Sequence, residues 1–193
     1  MRLTTAVLAL AGAALAQDFR VGATVSDFAL RDLDGKATSY SALKGKVTVV
    51  AFISVECPVS NAYNERMNAL FHEFSGRANF IFVNSNANES ADQVRRHARD
   101  SGFRFPVYKD PNNAAADRFG ATRTPETYVI DAAGVVRYHG PIDDAQNPVR
   151  VKHQHLRAAL EAVLEGQPVP TPEASAFGCT IKRVRKASGV GNE

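Results

Sequence analysis

The stretch Val47–Ser60, VTVVAFISVECPVS, decides how this chain is read. It opens with a nearly continuous apolar, β-branched run, the pattern of a strand buried on both faces. Cys57, one of only 2 cysteines in the chain, comes just past the end of that run, and Pro58 follows it directly. Proline is favoured at the first helical position, where its missing N–H has no partner to lose, so the sequence predicts strand, cysteine and helix in immediate succession. A sulfur at such a junction faces free backbone N–H groups and the positive end of the helix dipole, and both favour the thiolate. Glu56 works the other way, because a neighbouring carboxylate disfavours a second negative charge. Position alone leaves three readings of Cys57: half of a redox centre, a soft-metal ligand, or a buried thiol without chemistry.

Working outward, Tyr63, Met67, Leu70, Phe71 and Phe74 recur at helical spacing and predict the core face of a helix. Phe80–Val83 reads as a second buried strand. Ser90 is placed to cap a polar helix that stops at Gly102. A short strand over 105–108 and a helix over Ala114–Phe119, stopped by Gly120, come next. Strands follow at Glu126–Asp131 and Val135–His139, and a last helix is expected over Val151–Glu165. Upstream, Phe28–Leu30 runs into a hairpin turn at Asp34-Gly35. The order β-β-α-β-α-β-α-β-β-α defines an α/β fold, a mixed sheet flanked by helices. Beyond Gly166, Pro168, Pro170 and Pro172 predict an extended, weakly structured and mobile arm. The second cysteine, Cys179, rides on that arm.

The chain has 193 residues, 45% hydrophobic and 22% charged, which suits one globular domain. Its net charge of +3 is too small to drive nucleic-acid binding, and the densest basic run, Lys182, Arg183, Arg185 and Lys186, reads as a solvated tail. Met1-Arg2, an Ala/Leu-rich stretch and Ala14-Leu15-Ala16 predict a secretory signal peptide cut after Ala16. The expected organisation is signal 1–16, domain 17–166 and arm 167–193, with no membrane span once the signal is gone. The protein is then expected in an oxidising compartment, a periplasm or the exterior, where 2 cysteines are candidates for a disulfide. No P-loop, dinucleotide fingerprint or nucleophile elbow is present.

FALRDLDGK (28–36), VTVVAFIS (47–54), ECPVSN (56–61), RTPETYVIDAAGVVRYHG (123–140), Asp143-Asp144 and GCTIK (178–182) together resemble the AhpC/TSA-type redoxins of the thioredoxin fold, in particular their secreted peroxiredoxin-like branch. The resemblance covers roughly residues 20–165. It implies a thiol–disulfide oxidoreductase with Cys57 as nucleophile, Thr124-Pro125 as a cis-proline loop packed against it, and Ser60 within reach of the thiolate. Ser60 also stands where many relatives keep a second cysteine, so no local disulfide can close, and Ala51 replaces the buried acid of thioredoxins. Ser60 further occupies the place of the peroxidatic cysteine, and Pro125 that of the peroxidase arginine, so peroxidase activity by the family's usual mechanism is not expected.

GCTIK recurs in the branch and favours Cys179 as a resolving thiol, with a structural staple or two unpaired cysteines as the alternatives. A redox pair would act on protein or small-molecule thiols and disulfides and need an external thiol reductant. Copper-chaperone relatives join two cysteines to a loop histidine, so Cys57, Cys179 and His139 form an alternative Cu(I) site. The other histidines read as solvated: His72 and His97 lie on helix surfaces, and His153 and His155 stand two apart on the expected last helix, so they cannot share a face. Asp131, Asp143 and Asp144 read as turn formers.

Overall fold

The computed structural model describes residues 19–185. The expected signal peptide 1–16 and Lys186 lie outside the described residues.

The chain opens with the hairpin β1 (Ala29–Arg31) and β2 (Ala37–Ser39), turned at Gly35 with φ 83°. One helical turn, α1 (Tyr40–Leu43), leads into β3 (Thr48–Phe52). The segment after the cysteine forms α2 (Pro58–Asn61) and α3 (Asn64–Phe74). Then come β4 (Asn79–Asn84), α4 (Ala91–Asp100), β5 (Val107–Lys109) and α5 (Ala114–Phe119). A two-residue β6 (Arg123–Thr124) precedes β7 (Glu126–Ile130) and β8 (Val136–Gly140). The last elements are α6 (His155–Leu164) and a two-residue β9 (Cys179–Thr180).

Seven strands form one mixed sheet in the order β2-β1-β5-β4-β3-β7-β8. β3 is parallel to β4 and antiparallel to β7, with apolar layers on both faces, which is why its sequence is continuous rather than alternating. Side chains still alternate. Val49 and Ala51 enter one core with Tyr63, Met67 and Leu160, while Val50 and Phe52 enter the other with Phe28, Phe119 and Tyr128. The helix signals hold where they are local. Ser90 Oγ accepts the Gln93 N–H and the Gln93 side chain accepts the Ser90 N–H, a capping box that starts α4.

Two expectations fail for tertiary reasons. The last helix begins at His155, not Val151, because the Lys152 N–H donates to Asp144 Oδ1 and the Asp144 N–H to the His153 carbonyl. His153 thus precedes the helix, and its ring comes within 5.8 Å of the His155 ring, which the helix-face rule forbade.

The larger correction concerns the arm. It is extended, as its prolines require, but over its described residues it is bonded at several points. The His139 N–H donates to the Pro172 carbonyl and the Ala174 N–H to the His139 carbonyl, adding the arm to the outer edge at β8. Phe177 packs against the first core, 6.3 Å from the Tyr63 ring, while Ile181 is 2% exposed in the second. Arg183, expected in a solvated tail, pairs with Asp117 at 2.7 Å. An extended chain forms no hydrogen bonds of its own, so acceptors and apolar pockets elsewhere on the molecule decide whether it moves.

Candidate active site

Cys57 is the N-cap of α2, and its sulfur accepts the Ser60 backbone N–H at 3.3 Å. The Ser60 hydroxyl, expected to bond the Cys57 thiolate, is engaged elsewhere in this disulfide-bonded state. It accepts the Ser54 N–H at 3.1 Å, while the Ser54 hydroxyl accepts the Cys57 N–H at 3.1 Å. These bonds fix the turn between β3 and α2. The Thr124–Pro125 peptide is cis, and the Thr124 carbonyl oxygen lies 3.4 Å from the Cys57 sulfur. The cis-proline loop therefore packs on the cysteine as the resemblance implied.

Cys57 and Cys179 form a disulfide with Cα atoms 5.7 Å apart, across a sequence separation of 122. The pair is brought together by β9, which runs antiparallel to β6 with Cys179 opposite Thr124 and Thr180 opposite Arg123. Cys57 is 2% exposed, whereas Cys179 is half-buried.

A buried carboxylate supports this site, and sequence reasoning missed it. Ala51 supplies no acid from the strand, but Glu89, 2% exposed, reaches in from the loop after β4. It accepts the Ser54 hydroxyl at 2.6 Å, the Val55 and Glu56 N–H groups at 3.0 Å each, and the Asn84 amide. Burial pushes its pKa up, but these donors outweigh that and hold it below the ordinary glutamate value. Lys109 closes the network, its ammonium bonded to the Asn84 side chain and the Asn86 and Glu89 carbonyls, and burial lowers its pKa. The only sequence signal was Glu89 standing just before a helix cap, and nothing local ties it to Cys57. The Glu56 side chain, by contrast, is directed at the Asn88 amide, 2.7 Å away.

Behind the cis-proline loop, Glu126 accepts the Thr122 and Arg123 N–H groups at 2.8 and 2.7 Å and lies 2.7 Å from His139 Nε2. Burial raises its pKa, and the His139 contact and the two N–H donors more than reverse this, leaving it below the usual value. His139 stacks flat on Tyr128 at 4.5 Å. The soft-metal set Cys57, Cys179 and His139 is therefore not assembled: the two sulfurs bond each other and the imidazole bonds Glu126. Among the described residues no group of three His, Cys, Asp or Glu side chains could hold a metal ion. Asp143 is not a mere turn former either. It is buried and accepts the Tyr63 hydroxyl at 2.8 Å and Arg66, anchoring α3. Asp131 does close a turn, accepting the Ala133 and Val135 N–H groups.

A cysteine opening a helix beneath a cis-proline loop, at the end of a central strand in a mixed sheet, defines a thioredoxin-fold redoxin. More narrowly, the chain belongs to the AhpC/TSA family, whose model matches residues 21–139. It is 27% identical over 117 residues to the thiol-disulfide oxidoreductase ResA of Geobacillus thermodenitrificans, covering 61% of this chain and 67% of that protein. It is 29% identical over 121 residues to the thiol:disulfide interchange protein DsbE of Vibrio cholerae, covering 61% and 63%. The chain thus spans about two thirds of these relatives. An uncharacterized conserved protein from Geobacillus kaustophilus superposes with a TM-score of 0.80 at 30% identity, over 88% of this chain and 95% of its own. A hypothetical protein from Sinorhizobium meliloti does so at 0.78 and 29%, over 88% and 98%. The family match ends before the arm, so Cys179 lies outside it. No helix among the described residues is long and apolar enough to cross a membrane.

Proposed function

We propose that this protein is a thiol–disulfide oxidoreductase that works outside the cytoplasm, with Cys57 as nucleophile and Cys179 as resolving thiol. The observation that carries the reading is the disulfide itself, seated against the cis-proline loop in a family whose curated relatives carry the names oxidoreductase and interchange protein. A disulfide between the 2 cysteines of the chain and the signal-like residues 1–16 support the compartment.

In the reduced protein the Cys57 thiolate, favoured by the Ser60 N–H, attacks one sulfur of a substrate disulfide. The substrate S–S bond breaks, its other sulfur leaves as a thiolate, and a mixed disulfide with Cys57 forms. The Cys179 thiolate then attacks the Cys57 sulfur and the second substrate sulfur departs. Two electrons pass to the substrate, and the Cys57–Cys179 bond of this structure is left. An external dithiol resets it: one of its thiolates attacks the half-buried Cys179, Cys57 leaves as the thiolate, and the second thiol then displaces Cys179 as the reductant closes its own disulfide. Thr124 and Pro125 wall the site, and Ser60 fixes the turn around the sulfur. Peroxidase chemistry finds no support here: at the peroxidatic position Ser60 has a hydroxyl engaged by the Ser54 N–H.

Thiol titration of the purified protein across a glutathione series tests the reading. A working pair opens near about −200 mV, whereas a bond resistant below about −300 mV is a structural staple and overturns the enzyme.

A further inference from the structure

The arm does more than deliver a thiol, because it is bound in the manner of a foreign peptide. Cys179 and Thr180 pair antiparallel with Thr124 and Arg123, and the Ile181 N–H continues the ladder to the Thr122 carbonyl at 3.0 Å. Beyond the end of β6, two buried asparagines take over the work of a neighbouring strand. Asn86 Oδ1 accepts the Lys182 N–H at 2.8 Å, the Ala87 N–H donates to the Lys182 carbonyl at 2.8 Å, and Asn113 Oδ1 accepts the Val184 N–H at 2.7 Å. Main-chain bonds of this kind hold any extended segment, and side-chain pockets select among them.

Two positions select. Gly178 has φ +140°, and a Cβ there would stand 2.1 Å from the Thr124 carbonyl oxygen, so only glycine fits immediately before the cysteine. Ile181 fills an enclosed apolar site two residues after it. Thr180 and Lys182 between and beyond are exposed. The joint between Cys57 and a cysteine paired with Thr124 has the geometry a mixed disulfide with a partner chain would need.

Resting on the oxidoreductase reading, we propose that the arm is a tethered copy of the segment this protein recognises: an extended stretch of a disulfide-bonded protein with glycine just before the cysteine and a branched aliphatic residue two after it. Arm and partner then compete for one groove. When Cys179 attacks the mixed disulfide, the Cys57–partner S–S bond breaks, the Cys57–Cys179 bond forms, and the partner leaves as a thiolate while the arm refills the ladder it occupied. Product release and arm docking become one event.

The test uses the reduced, full-length Cys179→Ala protein and the hexapeptide Phe-Gly-Cys-Thr-Ile-Lys, its cysteine activated as the thionitrobenzoate disulfide. Release of the coloured thiolate reports attack by Cys57. The peptide is expected to react at least about tenfold faster than versions with alanine for glycine or aspartate for isoleucine. Adding Gly178→Val to the protein, which bars its own arm, is expected to raise the rate with the original peptide. Equal rates for the three peptides overturn the inference, and that comparison needs no second variant. The small reagent dithiobis-nitrobenzoate separates the two failures. If Cys57 of the double variant ignores it, the exchange reading falls and this one with it; if it reacts while the peptides are indistinguishable, only the peptide inference falls.

Discussion

The loop that carries Cys57 is fastened close to the sulfur: Ser54, Ser60 and the Cys57 N–H bond one another, and Glu89 grips the residues from Ser54 to Glu56. The arm that carries Cys179 has no such local frame. Its hydrogen bonds go to His139, Thr122, Arg123, Thr124, Asn86, Ala87 and Asn113, residues scattered over β8, β6 and three loops. One half of the redox pair is held by its neighbours in sequence plus one buried carboxylate, the other entirely by distant parts of the fold. The first arrangement pre-organises a nucleophile. The second makes the seat of Cys179 depend on many separate contacts far from the sulfur.

The sharpest way to break this comparison is to remove each sulfur. Cys57→Ser is expected to abolish exchange altogether. Cys179→Ser keeps a single stoichiometric attack and accumulates a mixed disulfide on Cys57, visible by intact-mass spectrometry; loss of that adduct would mean the roles are reversed. Next in size, Gly178→Val should unseat the arm around the cysteine while leaving the Cys57 loop intact. Limited proteolysis is expected to cut near residue 178 in the variant only, with most of the Cys57–Cys179 bond failing to form.

Glu89→Gln tests the other side, expected to destabilise the fold by about 1–3 kcal/mol because donors that serve a carboxylate lose their best acceptor. Its pKa in the folded protein is depressed below the ordinary glutamate value of 4.5. The carboxylate's contribution is therefore full above that pH and lost as pH falls through the lower folded value. Melting curves of wild type and Glu89→Gln should differ at pH 7 and converge well below pH 4.5. A constant difference would show that the carboxylate's charge plays no part. Smallest, Asn86→Ala and Asn113→Ala should each cost about 1 kcal/mol. Hydrogen exchange should quicken at the Lys182 and Val184 amides respectively, with the amides of Val55 and Glu56 unchanged.

The parts legible in sequence were those encoded within a few residues. The run Thr48–Phe52 announces a strand covered on both faces, Pro58 puts Cys57 at a helix start, Ser90 caps α4, and Gly120 ends α5 in a left-handed turn. Thr124-Pro125 carried the cis-proline loop through family likeness. The remainder was set by contacts between segments far apart in the chain. Glu89 gives no local sign that it will bind the cysteine loop, and His139 looked available to a metal until Glu126 and Tyr128 were brought beside it. Asp144 holds back the start of α6 with a bond no periodicity encodes. The arm shows the limit most clearly. Its prolines determined that it would be extended, because they fix φ and remove donors. That it would be docked, and that Cys179 would meet Cys57, was decided by buried amides, an apolar pocket and a strand edge supplied by other parts of the chain, since an extended segment draws its order from what lies beside it.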